Sequence, residues 1–193
     1  MTPTGRRERK KAATRQALAT AARRLFLERG FDRVTVAEIA EAADTAVSTL
    51  FVHFPGGKEA LVLGDSRERE QALVAAVRER AEGVPILQSL HDFLATRGPF
   101  NPTPEPQYQG LAELVVATPA LRAYARTLWT NCETALTEAI AEETGRAADL
   151  SSRLLARYVL EIPDLAGTEP DPPAALATAF THLARGWPDL RFR

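Results

Sequence analysis

Between Thr35 and Lys58 the residues TVAEIAEAADTAVSTLFVHFPGGK confine two short helices and a turn to about two dozen positions. Thr35 and Glu38 stand in Thr-x-x-Glu spacing, a capping box, and Val34 with Ile39 flank it as a hydrophobic staple, so a helix is expected to begin at Val36. Its apolar face is Val36, Ile39, Ala40 and Ala43. Asp44 and Thr45 interrupt the pattern. A second helix, from about Ala46 to His53, would bury Leu50 and Phe54 against the first before Phe54-Pro55 stops it. Two short helices joined in this way form a helix-turn-helix, whose second helix enters the DNA major groove.

Upstream, Leu18, Ala22, Leu25 and Phe26 recur at helical spacing, which predicts an amphipathic helix over 14–29, closed by Gly30 as a residue free to take positive φ. Three helices then make a small domain of roughly sixty residues, a size of marginal independent stability. A second domain would support it.

The runs ERGFDRVTVAEIAEAA, STLFVHFP and GGKEALV resemble the DNA-binding domain of the tetracycline-repressor (TetR) family of bacterial transcription regulators, over residues 14–63. The family usually has Gly at position 44, an apolar residue at 45, Ser or Thr at 46, and one residue fewer between Pro55 and Lys58. Here Asp44, Thr45 and Ala46 stand instead. Asp tolerates left-handed backbone better than most residues and so can hold the turn. By the same resemblance Val47, Ser48 and Val52 face base edges with Ala46 nearby among the DNA-contacting residues, and Thr49, Phe51 and His53 lie beside the phosphate backbone. Of Val47, Ser48 and Val52, only Ser48 hydrogen-bonds through its side chain. The helix contains no Arg, Asn or Gln for bidentate base recognition, so apolar contacts, DNA shape and flanking charge are expected to carry specificity.

Lys58 is a cation in a first helical turn, where the macrodipole opposes it and a phosphate would offset that cost. Lys58 and Thr35 are therefore assigned to phosphates. Residues 1–63 carry eleven Lys or Arg against seven Asp or Glu, while the remainder carries thirteen against eighteen, an asymmetry that the net charge of -1 conceals. Arg6, Arg7, Arg9, Lys10, Lys11 and Arg15 form a basic arm leading into the first helix, with Lys10, Lys11 and Arg15 taken as DNA contacts. A basic run can equally be a solvated tail.

The body is expected to occupy 64–193, beginning within a helix from Glu59 to about Ala81. Further helices are expected over 85–96, 107–117 and 119–144, then through Ser151–Ile162 up to Pro163, and through Leu176–Trp187. The segment GPFNPTPEP, with four prolines in nine positions, is a loop. No alternating strand pattern occurs, which makes the chain all-α with about nine helices: an N-terminal three-helix domain joined to a helical effector-binding and dimerisation domain. The resemblance implies a homodimer through the last two helices, here carrying Leu155, Tyr158, Leu176 and Phe180, although such stripes can also close a monomer's own core. It also implies a palindromic double-stranded DNA operator and a small, mostly apolar effector among Phe93, Tyr124, Trp129, Cys132 and Tyr158.

His53, His91 and His182 fall on separate helices, Cys132 is the single cysteine, and no phosphate-binding glycine loop follows a strand. An enzyme is not expected, nor a metal or cofactor. No apolar run approaches the ~20 residues of a membrane span, and no apolar segment follows the basic N-terminus as a signal peptide would require; a cytoplasmic location is the expectation. The competing possibility is a helical adaptor that binds protein rather than DNA.

Overall fold

The structure is a computed structural model that describes residues 3–64 and 66–186; the side chains of Pro3, Thr4 and Gln107 are not described. Backbone contacts divide the chain into two units, 1–65 and 66–193. Their described residues form eleven α-helices and two single-turn 3-10 segments. Counting each of two interrupted helices once leaves the nine expected.

The first unit holds α1 (Pro3–Arg29), α2 (Val36–Ala42), α3 (Val47–His53) and α4 (Gly57–Leu63). α1 begins well before position 14, so the basic arm is helical. Leu18, Ala22 and Phe26 on α1 are fully buried, as are Ile39 on α2 and Leu50 on α3, and the rings of Phe26 and Phe31 lie 5.0 Å apart. The capping box forms as written. The Thr35 hydroxyl accepts from the Glu38 amide, and the Glu38 carboxylate accepts from the Thr35 amide at 2.8 Å. With Arg29 on its other oxygen at 2.7 Å, Glu38 has its pKa lowered to about 2, first by the Thr35 backbone hydrogen bond and then by Arg29. Asp44 takes a φ of 50° at the turn, the left-handed conformation required there.

The expected 59–81 helix is broken at Gly64, whose φ of 73° and ψ of -155° belong to a region open essentially to glycine alone. The body therefore starts with α5 (Ser66–Arg78) rather than within α4. α6 (Ile86–Ala95) follows, then 3-10 turns at Gly98–Phe100 and Pro106–Tyr108, and α7 (Leu111–Ala117), which starts later than position 107 because Gly110 sits in left-handed backbone.

The expected 119–144 helix divides into α8 (Pro119–Thr130) and α9 (Glu133–Thr144). At the break the Cys132 amide turns to the Trp129 carbonyl at 2.9 Å, an i→i−3 bond, and abandons Leu128. The Cys132 thiol then donates to the Leu128 carbonyl at 3.3 Å, replacing the lost partner. The longest body helix is instead α10 (Leu150–Ala166), which runs through Pro163 for one more turn; α11 (Pro172–Gly186) closes the body. Trp187 lies outside the described residues. One core joins α5, α6 and α8 to α11, with Leu90, Leu136, Ile140, Leu155 and Val159 at or near zero exposure.

Candidate nucleic-acid interface and effector site

α3 is seven residues long and buries one of them, Leu50. That anchor leaves the remaining apolar side chains outward: Val52 is 76% exposed, Phe51 45% and Val47 36%, with Ser48 exposed among them. Water would ordinarily select polar residues here. An apolar surface on a short, rigidly anchored helix therefore marks a contact face. Ala46 is exposed at the start of α3; Thr49 and His53 are half-buried on its flank. Lys10 and Lys11 are exposed on the N-terminal half of α1, a helix that reaches about 40 Å at 1.5 Å per residue.

Three residues assigned to DNA from the sequence have internal tasks. The Lys58 ammonium donates to the Phe31 carbonyl at 2.8 Å and lies 4.3 Å from the Phe31 ring centroid, locking α4 to the α1–α2 connection. It is not the uncommitted cation expected; one of its three donors is spent. Arg15 donates to the His53 carbonyl at 2.6 Å and stacks 4.5 Å from the Phe54 centroid, satisfying a carbonyl at the C-terminal end of α3. Thr35 is occupied by the capping box through both its hydroxyl and its amide. Sequence spacing shows the Thr35–Glu38 pairing but neither of the other two, because Lys58 and Phe31 are 27 positions apart and Arg15 and His53 are 38 apart.

Replacing Lys58 with Met is expected to destabilise the first unit by about 2 kcal/mol, the scale of a charged hydrogen bond with its aromatic contact. Thermal unfolding of the full chain should show the first unit melting roughly 10 °C lower, given its size. An unchanged melting profile would show that the Phe31 contact contributes nothing.

In the second unit, Tyr124, Trp129 and Cys132 lie on or just after α8, with Trp129 7% exposed and Cys132 fully buried. Phe93 packs half-buried against the same core. Burial pushes the Cys132 thiol pKa up, so this thiol is poorly activated. Tyr158 does not join them. It is 49% exposed, one helical turn beyond Leu154 on α10. Leu155, Leu176 and Phe180, expected at the interface, are buried within the chain's own core, Phe180 edge-on to His91 at 5.5 Å. The sequence stripe found the inward face of α10.

The outward face carries Leu150, Leu154, Tyr158 and Leu165, 37–66% exposed and spaced i, i+4, i+8 and i+15. This second apolar stripe on one helix lies partly hidden in the sequence because its members alternate with core residues. Arg69 on α5 was also missed. It sits in a charged run that reads as solvated, yet it is four residues before Leu73 and eight before Val77, both buried, and its guanidinium stacks on Trp129. A polar cleft of about 220 Å³ between α9 and the start of α10 is lined by Glu133, Thr134, Thr137, Glu138, Ala148 and Arg153, the wrong chemistry for an apolar ligand. Among the described residues, no three His, Cys, Asp or Glu side chains gather as metal ligands, and no helix is long and apolar enough to cross a membrane.

A helix-turn-helix whose second helix presents an outward face, joined to an all-helical body, is the architecture of a DNA-binding transcription regulator. Residues 18–64 match the family of bacterial regulatory proteins of the tetR type, and residues 84–188 match the MftR C-terminal domain. The chain belongs to the TetR family and is a DNA-binding transcriptional regulator with an MftR-like C-terminal domain, not an enzyme. Family membership also decides against the protein-binding adaptor.

The chain is 37% identical over 86 residues to the HTH-type transcriptional regulator TcmR of Streptomyces glaucescens, a match spanning 45% of this chain and 38% of TcmR. Among solved structures, the fold is similar to AlkX from Dietzia sp. strain DQ12-45-1b, with TM-score 0.61, 18% identity and coverage of 91% and 98% of the two chains. It is similar also to GusR of Salmonella enterica, with TM-score 0.57, 24% identity and coverage of 89% and 94%.

Proposed function

We propose that this regulator is a homodimeric repressor that recognises a palindromic operator and is released from it by a small, mostly apolar effector. The observation that carries the DNA half is the exposed apolar face of α3. Val47 and Val52 pack against thymine methyl groups and Ser48 hydrogen-bonds a base edge, while Thr49, Phe51 and His53 flank the backbone. Lys10 and Lys11 neutralise phosphates from the α1 extension, while Arg15 holds the end of the reading helix and Lys58 ties α4 to the α1–α2 connection. With no bidentate base contact in α3, discrimination leans on methyl groups and groove shape. Such a protein acts where the chromosome is, in the cytoplasm.

The dimer forms through α10 and α11. Leu150, Leu154, Tyr158 and Leu165 supply its seam, and α11 presents the small exposed residues Ala174, Ala177 and Thr181 that allow a second helix to approach closely. A two-fold protein then reads a two-fold operator. The effector lies among Phe93, Tyr124, Trp129 and Cys132, and it induces by binding one spacing of the two heads more tightly than the other.

Footprinting on the intergenic DNA beside the protein's own gene tests this. A protected segment with two-fold symmetry, lost steeply as salt rises, is the expected result. Protection that is absent or lacks symmetry would refute the operator.

A further inference from the structure

The side of α3 turned away from its anchor Leu50 carries Val47, Ser48, Phe51 and Val52, which share one face at 3.6 residues per turn. All but Ser48 are apolar, and Val52 is the most exposed large apolar side chain among the described residues. Lys, Arg, Asn and Gln are absent from the whole stretch 34–57. The helix-turn-helix therefore holds none of the side chains that grip guanine or adenine with two hydrogen bonds.

Such a face takes little information from a base pair. In the major groove thymine offers a C5-methyl group and the O4 acceptor, and cytosine offers the N4 amino donor. A valine touches the methyl and does not register the polar atom beside it. Ser48 is the polar member of the face, and its hydroxyl both donates and accepts, so it serves O4 and N4 alike. α3 carries no Asp or Glu to favour the cytosine amino group. What distinguishes one pyrimidine from the other at this helix is the methyl group itself. 5-Methylcytosine bears that methyl on the same ring carbon as thymine.

We infer that the reading head recognises the C5-methyl group of a pyrimidine and takes 5-methylcytosine in place of thymine, so that cytosine methylation within a half-site raises operator affinity. This rests on the proposed operator recognition through α3 and names the chemical feature that is read. Val47 and Val52 make the methyl contacts. Burial of one methyl group corresponds to about fourfold in affinity, and a two-fold operator meets each contact twice, which gives about sixteenfold per contacted position.

The test uses the full-length protein and the footprinted duplex, synthesised with thymine or with uracil throughout. Uracil removes the methyl groups and keeps the hydrogen-bonding edges. By anisotropy the uracil duplex is expected to bind at least about tenfold more weakly. Replacing thymines one symmetric pair at a time then locates the contacted positions. At each of these the T·A pair is exchanged for C·G and for 5-methylcytosine·G, whose minor grooves are the same, so that their ratio isolates the methyl group. Methylation should raise affinity about tenfold. Val47→Ala and Val52→Ala shorten exposed side chains, with folding checked by circular dichroism. At a contacted position one of the two should cut both the uracil penalty and the methylation gain to about threefold or less. A uracil duplex bound within twofold of the thymine duplex, methylcytosine bound no more tightly than cytosine, or methyl effects unchanged in both variants would each overturn the methyl assignment and leave operator recognition standing. A chain that gives no two-fold footprint refutes operator recognition and the methyl assignment with it.

Discussion

Replacing Val52 with glutamate is expected to lower operator affinity by at least about 100-fold while leaving the fold intact. Val52 is 76% exposed on α3, so the substitution creates no cavity and buries no charge, and stability should move by less than about 0.5 kcal/mol. In the complex the carboxylate would face base edges and phosphates. Like charges brought together at an interface cost several kcal/mol, and each 1.4 kcal/mol is a factor of ten. Two heads per operator double the effect. Anisotropy with the footprinted operator measures the affinity and thermal melting the stability. An affinity within threefold of the parent would remove α3 from the DNA contact, whereas a fall in melting temperature of similar scale would make Val52 a structural residue.

Changing Leu154 and Leu165 together to glutamate should convert dimer to monomer at micromolar concentration and reduce operator binding by orders of magnitude. These side chains are 37% and 66% exposed in the single chain, which tolerates the charge there. In a two-fold interface each substitution is met twice, and an uncompensated buried charge costs about 3–5 kcal/mol. Leu155→Glu provides the contrast. Leu155 has zero exposure, so its replacement should unfold the body instead of separating two folded chains. Sedimentation with circular dichroism distinguishes the outcomes. A double variant that remains dimeric would place the interface elsewhere, and a Leu155→Glu protein that is folded and monomeric would return the seam to the inward stripe.

The difference between Leu154 and Leu155 shows where sequence patterning stops. α10 carries apolar residues on two faces, and periodicity identifies a helix without saying which face its own domain covers. The inward set, Leu155 with Val159 and Ile162, and the outward set, Leu150 with Leu154 and Tyr158, satisfy the same helical spacing. Packing against α8, α9 and α11 decides between them. The same limit hid the task of Lys58. As a lone cation in a first turn it invited a phosphate, but the Phe31 carbonyl reaches it across 27 positions once α4 folds back on α1. Arg69, read as part of a solvated charge run, is placed on Trp129 by the packing of α5 against α8.

What the residues determined unaided was local. Thr35 and Glu38 are three positions apart and cap α2 whatever surrounds them, Asp44 supports a left-handed turn through its own backbone preference, and Leu50 with Phe54 must turn inward because they are the large apolar groups on their face of α3. Those constraints act over a few residues, so the helix-turn-helix and the all-helical class were legible in the chain. Tertiary structure alone decided where helices broke and what their second faces met. The breaks at Gly64 and Cys132 depend on backbone torsions and on a thiol answering an abandoned carbonyl, and the pairings of Lys58, Arg15 and Arg69 join elements distant in sequence. Contacts of that kind exist only after the chain has closed on itself.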